Sequence, residues 1–340
     1  MAMNLEADKR YIKVLLSVIV PIFNAQNTIE KCISSILEQT FTDFELILVN
    51  DGSEDDSYRI CSGFMQSDHR VVLLEKENGG ASSARRYGLE RARGEYISFI
   101  DSDDWIEVNH FSGLMTEIVK TRADICVGGY VRNSNNGEVK VFSSRESMLL
   151  TRYDALREMF MYNLYGWEMC DKVYHYSIVS SVTVPNNIKH GEDLLFNWYA
   201  FNRANSVAYI PQPTYHYRDV ESSITHKGVC NEDNLISSSF AMILKDKDDL
   251  TADIEYCVKM TMNAFLSTNL KVAMKSDFPN KKDYIKHGQC EVRKNILNII
   301  MDGRATLRQK MGAVFFCMPY IFCVVLLKAW YLISTKHMKI

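Results

Sequence analysis

The first 130 residues switch repeatedly between two hydrophobic periods. The run LLSVIVP at 15–21 is continuously apolar and ends at a proline, the mark of a strand buried on both faces. Asn27 to Thr40 then sets Ile29, Cys32, Ile33, Ile36 and Leu37 at helical spacing, with Asn27 and Glu30 placed as a capping pair. FELILVN (44–50) reads as a second strand, DSYRICSGFMQ (56–66) as a helix and VVLLE (71–75) as a third strand. SSARRYGLERARG (82–94) reads as a helix closed by Gly94, EYISFI (95–100) as a fourth strand, and a fifth is expected near DICVGGY (124–130). Strands alternating with helices of this length imply right-handed crossovers and a doubly wound, mostly parallel α/β sheet over residues 14–130.

In such sheets ligands bind beyond the carboxyl ends of the strands. Four polar clusters fall there: Pro21-Ile-Phe23-Asn24, Asn50-Asp51-Gly52-Ser53, Glu77-Asn78-Gly79-Gly80 and Asp101-Ser102-Asp103-Asp104. Taken singly, NDGS is an ordinary turn and ENGGASSAR a loop with Ser82 or Ser83 capping the next helix. Arg85 and Arg86 sit just inside that helix start, where cations are disfavoured, and a bound anion would relieve the conflict. The acids at 101–104 repel one another unless one is protonated or a cation is shared; magnesium or manganese takes one or two carboxylates and fills its remaining positions with phosphate oxygens and water. Asp104 has a second account, as the cap of the helix holding Val108, Phe111, Met115 and Ile118.

Later segments add a second acidic site. In HGEDLLFNWYAF (190–201), Glu192 and Asp193 open a helix whose Leu194, Leu195, Trp198 and Phe201 face inward, although acids at a helix start are also favoured by its dipole alone. WEMCDKVYHYSIV (167–179) reads equally as a core Trp167 beside a surface Lys172. His216, between two tyrosines, fits a structural role better than metal binding. From about Asn231 to Asp302 the pattern is helical, with Leu250–Ser267 and Tyr284–Ile300 as candidate helices.

Composition narrows the class. The 340 residues are 47% hydrophobic and 24% charged, enough for a large core, and the net charge of -3 supplies no field for nucleic acid. Nine cysteines without a CxxC or Cys/His cluster point to a reducing cytoplasm rather than a disulfide framework. The charged extension 1–13 has no export signal. Near the other end, Met311 to Leu327 is uncharged over about 17 residues, the lower edge for a span, with Pro319 inside it. Arg304, Arg308 and Lys310 precede it; Lys328, Lys336, His337 and Lys339 follow. A short span, a segment lying in the membrane interface and a buried last helix all fit, and Phe315, Phe316, Tyr320, Trp330 and Tyr331 favour the membrane surface.

SVIVPIFNAQNTIEKCISSILEQTFTDFELILVNDGSEDDS, ENGGASSAR and GEYISFIDSDDW occur in that order, and together they make the first 130 residues resemble the nucleotide-sugar half of family 2 glycosyltransferases of the bacterial surface-polysaccharide type. The resemblance implies a GT-A fold: an α/β, doubly wound, mostly parallel sheet with a nucleotide-sugar half (14–130), an acceptor half with the catalytic base (131–230), a helical region (231–310) and an apolar membrane-associating tail (311–340). It implies that Pro21, Phe23, Asn24 and Asp51 hold base and ribose, and that Asn78, Gly79, Gly80, Arg85, Asp101 and Ser102 line the nucleotide. Asp101 and Asp103 would form the DxD motif that binds Mn2+ or Mg2+. Asp193 would be the base, with Glu192, Trp167 and Lys172 orienting the acceptor, and Arg218, Ser222 and Ser223 would contact the diphosphate.

The implied activity is inverting transfer from a nucleotide-diphosphate sugar, UDP by family frequency, to a glycan acceptor. That acceptor would be lipid-linked, at the cytoplasmic face of the inner membrane. A nucleotidyltransferase would carry a Gly-rich, basic loop after the first strand, which PIFNAQN lacks; a binding protein without transfer activity would be expected to lose Asp103 or Asp193 first, and both are present.

Overall fold

The structure is a computed structural model that describes residues 14–134, 137, 139–144, 146–185, 188, 191–219, 237–246, 248–275, 285–286, 289–290, 293, 296–297, 300–301, 307–319, 321–323 and 325. The chain forms two compact units, Met1–Asn187 with Glu192–Asp219, and Ile188–Gly191 with Val220–Ile340.

The first unit is built on β1 (Leu16–Ile22), β2 (Phe44–Asn50), β3 (Val71–Glu75) and β4 (Tyr96–Phe99), all parallel in the order β3-β2-β1-β4. Every residue of β1, β2 and β4 is buried, as a strand covered on both faces requires. The crossovers are α1 (Ile29–Leu37), α2 (Ser57–Ser67) and α3 (Ala81–Leu89), and α1 buries Ile29, Cys32, Ile33 and Ile36 as its spacing predicts. Further along lie β5 (Trp105–Ile106), α4 (His110–Thr121), β6 (Ile125–Ser134), β7 (Val139–Phe142), β8 (Met148–Thr151), α5 (Arg152–Met161), β9 (Lys172–His175), α6 (Tyr176–Val179), α7 (Glu192–Arg203) and β10 (Ser206–Asp219). The sheet continues β4-β9-β6-β10-β5. β9 is antiparallel to both β4 and β6, whereas β10 runs parallel to β6 and antiparallel to β5.

Three local expectations change. The helix at Asn27 begins at Ile29 after Thr28, and no side chain caps it. Helix α3 starts after Gly80 without a serine cap and ends at Leu89 rather than Gly94. Beyond Leu89 the chain turns so that the Arg93 amide and guanidinium reach the Glu45 carboxylate, at 2.7 and 2.8 Å, and the Gly94 amide reaches Ser17 Oγ at 2.8 Å. A Cβ on Gly94 would strike the Ser17 backbone, so this glycine serves close approach to β1, not helix capping. Asp104 does not cap α4 either: the helix starts after Asn109, and Asp104 is buried elsewhere.

The second unit contains α8 (Ser237–Ile243), α9 (Ala252–Lys275) and α10 (Leu307–Cys317), with Phe240, Ile243, Ile254, Cys257 and Val258 in its core. Arg293 donates to the Cys317 carbonyl at 3.1 Å, a cation at the negative end of α10. Met311, Val314, Ile321, Phe322 and Val325 are exposed. Among the described residues no helix is long and apolar enough to cross a membrane.

Candidate active site

The carboxyl ends of β1 to β4 gather the four polar clusters on one rim, and hydrogen bonds between loops fix them there. Asn24, at φ 50°, takes the left-handed conformation that asparagine tolerates; its Oδ1 accepts from the Glu54 amide at 2.9 Å, and its own amide donates to Ser53 Oγ at 3.1 Å. Phe23 beside it is 50% exposed, an open ring at the rim, whereas Pro21 is buried within β1.

Asp51 is turned inward. Its side chain is 3% accessible and accepts from the Gly79 amide at 3.0 Å, the Gly80 amide at 2.7 Å and Lys76 Nζ, while the Asn78 side chain donates to its carbonyl at 3.1 Å. The residue expected to hold the nucleotide therefore has its carboxylate engaged by the 76–80 loop, which it shapes from beneath. Lys76 was not singled out by the sequence; its only local signal is a lysine preceding the Glu-Asn-Gly-Gly run.

Arg85 joins the two halves of the unit. Its Nη2 donates to Asp101 Oδ1 at 2.7 Å and its Nη1 to Asp193 Oδ1 at 3.1 Å, and the side chain is buried. Burial opposes its charge, but Asp193 and Asp101 outweigh burial and hold the guanidinium protonated. The conflict of a cation at the start of α3 is thus relieved by carboxylates from the chain itself.

The acids behave as the repulsion argument requires. Burial first, then Asp101, push Asp103 up to about 6. Asp104 is buried, accepts from the Tyr215 hydroxyl and the Arg218 amide, and is held well above the usual carboxylate range by burial and its two neighbours. Asp101, Asp104 and Cys170 bring ligand atoms within 4.8 Å of one another. The Cys170 thiol is driven upward by burial and these acids, which keeps it protonated and unsuited to a hard cation. Carboxylate oxygens crowded against their own repulsion fit a divalent metal such as Mn2+ or Mg2+. Ser102 lies between Asp101 and Asp103, part-exposed.

The late half of β10 closes the other side. Arg218 Nε donates to the Asp103 carbonyl at 3.0 Å. His216 stacks on Trp105 at 4.9 Å and meets Glu107 at 2.6 Å and Asn133 at 3.2 Å, a structural role. Lys31 Nζ lies 3.1 Å from the Trp105 ring centre, a cation that no motif announced, in the field of Arg218 and Glu107. Ser222 and Ser223 lie outside the described residues.

Asp193 sits in the first turn of α7. Burial, Glu192, Asp101 and Glu168 raise its carboxyl against the pull of Arg85, to about 7, with 27% of its side chain still accessible. Lys172 is not an acceptor contact. It is fully buried on β9, where Nζ binds the Asp171 carboxylate and the Glu168 carbonyl. Trp167 is part-exposed, its ring edge-on to Tyr162 at 4.7 Å.

The sheet rim thus carries a cluster of metal-suited carboxylates and, across one arginine, a carboxyl raised toward neutrality. Residues 17–181 match the family described as Glycosyl transferase family 2, and the chain carries a domain of that family. It is 34% identical over 220 residues to Glycosyltransferase GlyA of Streptococcus pneumoniae serotype 4, covering 62% of this chain and 31% of that protein. The crystal structure of Staphylococcus aureus TarS 1-349 in complex with UDP superposes with a TM-score of 0.66 at 18% identity, over 91% of this chain and 88% of that one. The mannosyltransferase PcManGT from Pyrobaculum calidifontis, in complex with GDP-Man and Mn2+, superposes at 0.55 with 12% identity, over 94% and 88%. The fold is GT-A, as the motif order implied.

Proposed function

We propose that the chain transfers a sugar, with inversion, from a nucleotide-diphosphate sugar, UDP being favoured, to a hydroxyl of a glycan acceptor. The observation that carries this reading is the bridge Asp101–Arg85–Asp193: it sets a carboxyl near neutrality one guanidinium away from the donor-side acids. Phe23 and the loops at Asn24 and 78–80 would receive the nucleotide. Arg218, and Ser222 and Ser223 from outside the described residues, would face the diphosphate. Asp101 and Asp103 would hold Mn2+ or Mg2+, which when bound supplies charge neutralisation for the departing diphosphate. Asp193 takes the proton from the acceptor hydroxyl, and a carboxyl at about 7 is close to the optimum for a base working at neutral pH. Glu192 and Trp167 orient the acceptor, while Lys172 holds the segment that carries Trp167.

The acceptor is read as lipid-linked and the protein as resting on the cytoplasmic face of the inner membrane. The exposed Met311, Val314, Ile321 and Phe322, on a segment flanked by Arg308 and Lys310 and by Lys328, support a surface attachment.

The deciding experiment is Asp193→Asn assayed with a panel of nucleotide sugars. UDP affinity should persist in the presence of manganese while transfer is lost; a variant that still turns over would place the base elsewhere.

A further inference from the structure

The turn after α5 has a feature that sugar transfer as described so far does not use. Tyr162 ends the helix at φ 51° and ψ 39°, a left-handed conformation that a bulky aromatic residue rarely adopts. The residue is 40% exposed. Its hydroxyl donates to Glu168 Oε1 at 3.1 Å, and the Trp167 ring packs against it edge-on. Gly166 makes this possible: a Cβ there would overlap both the Tyr162 ring and the Glu168 carboxylate. The strained residue and the bare glycine thus serve to press an open aromatic ring against one carboxylate.

That carboxylate is short of donors. An ionised carboxyl has room for about four hydrogen bonds. Tyr162 supplies one to Glu168, whose second oxygen is shielded from water and has no partner, although the residue as a whole is part-exposed. Such an orphaned acceptor carries a desolvation cost that rotation of the carboxylate toward a donor would relieve.

The location names the ligand. The carbonyls of Trp167 and Glu168 accept from Asn197 Nδ2 at 2.7 and 3.3 Å, and Asn197 lies one helical turn beyond Asp193 on α7. Tyr174 and Lys172 brace the same network. Glu168 therefore lies in the neighbourhood of Asp193, and its charge helps raise that carboxyl. A pyranose offers an apolar C–H face to an aromatic ring and hydroxyl donors to a carboxylate.

We propose that Tyr162 and Glu168, with Trp167, form the subsite that grips the acceptor sugar beside Asp193, the ring stacking on the sugar and the carboxylate accepting from its hydroxyls. This rests on the transferase reading above for what happens to the sugar, but not for its being bound. The test uses the full chain with UDP and Mn2+, and the p-nitrophenyl glycosides of glucose, galactose, N-acetylglucosamine and N-acetylgalactosamine as probes. Glycoside binding is followed by saturation-transfer NMR and UDP binding by calorimetry.

At least one glycoside should bind the native protein. Glu168→Gln, which keeps the shape, and Tyr162→Ala should each weaken it about tenfold, while UDP affinity is unchanged. Tyr162→Phe retains the ring and tells stacking from the hydroxyl contact should Tyr162→Ala fold poorly. Unchanged glycoside affinity in Glu168→Gln, or no glycoside binding by protein that binds UDP, overturns the subsite. Failure of UDP to bind the native protein counts against the donor reading instead, and the glycoside result still decides the subsite.

Discussion

Replacing Arg85 by methionine removes the cation that, among the described residues, touches both Asp101 and Asp193. Two unit charges about 4 Å apart interact by about 4 kcal/mol at an effective dielectric of about 20. Because 27% of the Asp193 side chain is accessible, solvent reduces this to about 2 kcal/mol, or about 1.5 pKa units. Asp193, the proposed base, would move from about 7 to between 8 and 9 on the order of that shift. At pH 7 its ionised fraction would fall from about half to about 3%, a loss of roughly fifteenfold in turnover that is recovered above about pH 9. The assay is single-turnover transfer at saturating donor from pH 6 to 10. The acid limb of Arg85→Met should be displaced upward relative to the native enzyme. Arg85→Lys, with one ammonium in place of a fork, should lie between them. A variant equally impaired at every pH would show that Arg85 serves the donor and not the base.

The remaining predictions concern metal, stability and membrane. Asp103→Ala should weaken UDP binding in manganese and leave the residual metal-free binding unaltered; calorimetry showing normal affinity with Mn2+ would remove Asp103 from the metal site. Asp103 and Asp193 have native pKa values near 6 and 7, above those of an unfolded chain. The native state therefore binds more protons between about pH 4 and pH 7, so stability should decline as pH rises through that window and level off above it. Urea midpoints of metal-free protein from pH 5 to 8 should show this slope, and the double variant Asp103→Asn, Asp193→Asn should lessen it, leaving the part that Asp104 and Asp171 contribute; an undiminished slope would assign it wholly to those other groups. Deleting residues 311–340 should release the protein from vesicles containing anionic lipid, and sedimentation of the shortened chain with them would show that the anchor lies elsewhere.

The strands of the first half were legible because each is a short apolar run with turn residues beyond it, and FELILVN and VVLLE match β2 and β3 end to end. What misled was residues with two physical uses. Gly94 looks like a helix stop because glycine is common there, yet its missing Cβ is needed against Ser17. Asp104 looks like a cap but is consumed by Tyr215 and Arg218, partners more than a hundred residues away. The bridge from Asp101 through Arg85 to Asp193 has no local signature, since it spans 108 positions of sequence and exists only once the sheet is formed. Lys172, a surface residue by type, is buried because Asp171 accompanies it.

The placement of β9 bears on how such proteins can be cut and recombined. Residues 172–175 lie between β4 and β6 and hydrogen-bond to both. A fragment ending near residue 130 would leave the side of β4 now paired with β9 as an open edge, inviting association with other chains. Chimaeras that exchange acceptor specificity should therefore keep the β4–β9 pair from one parent and place their junctions in the turns on either side of it.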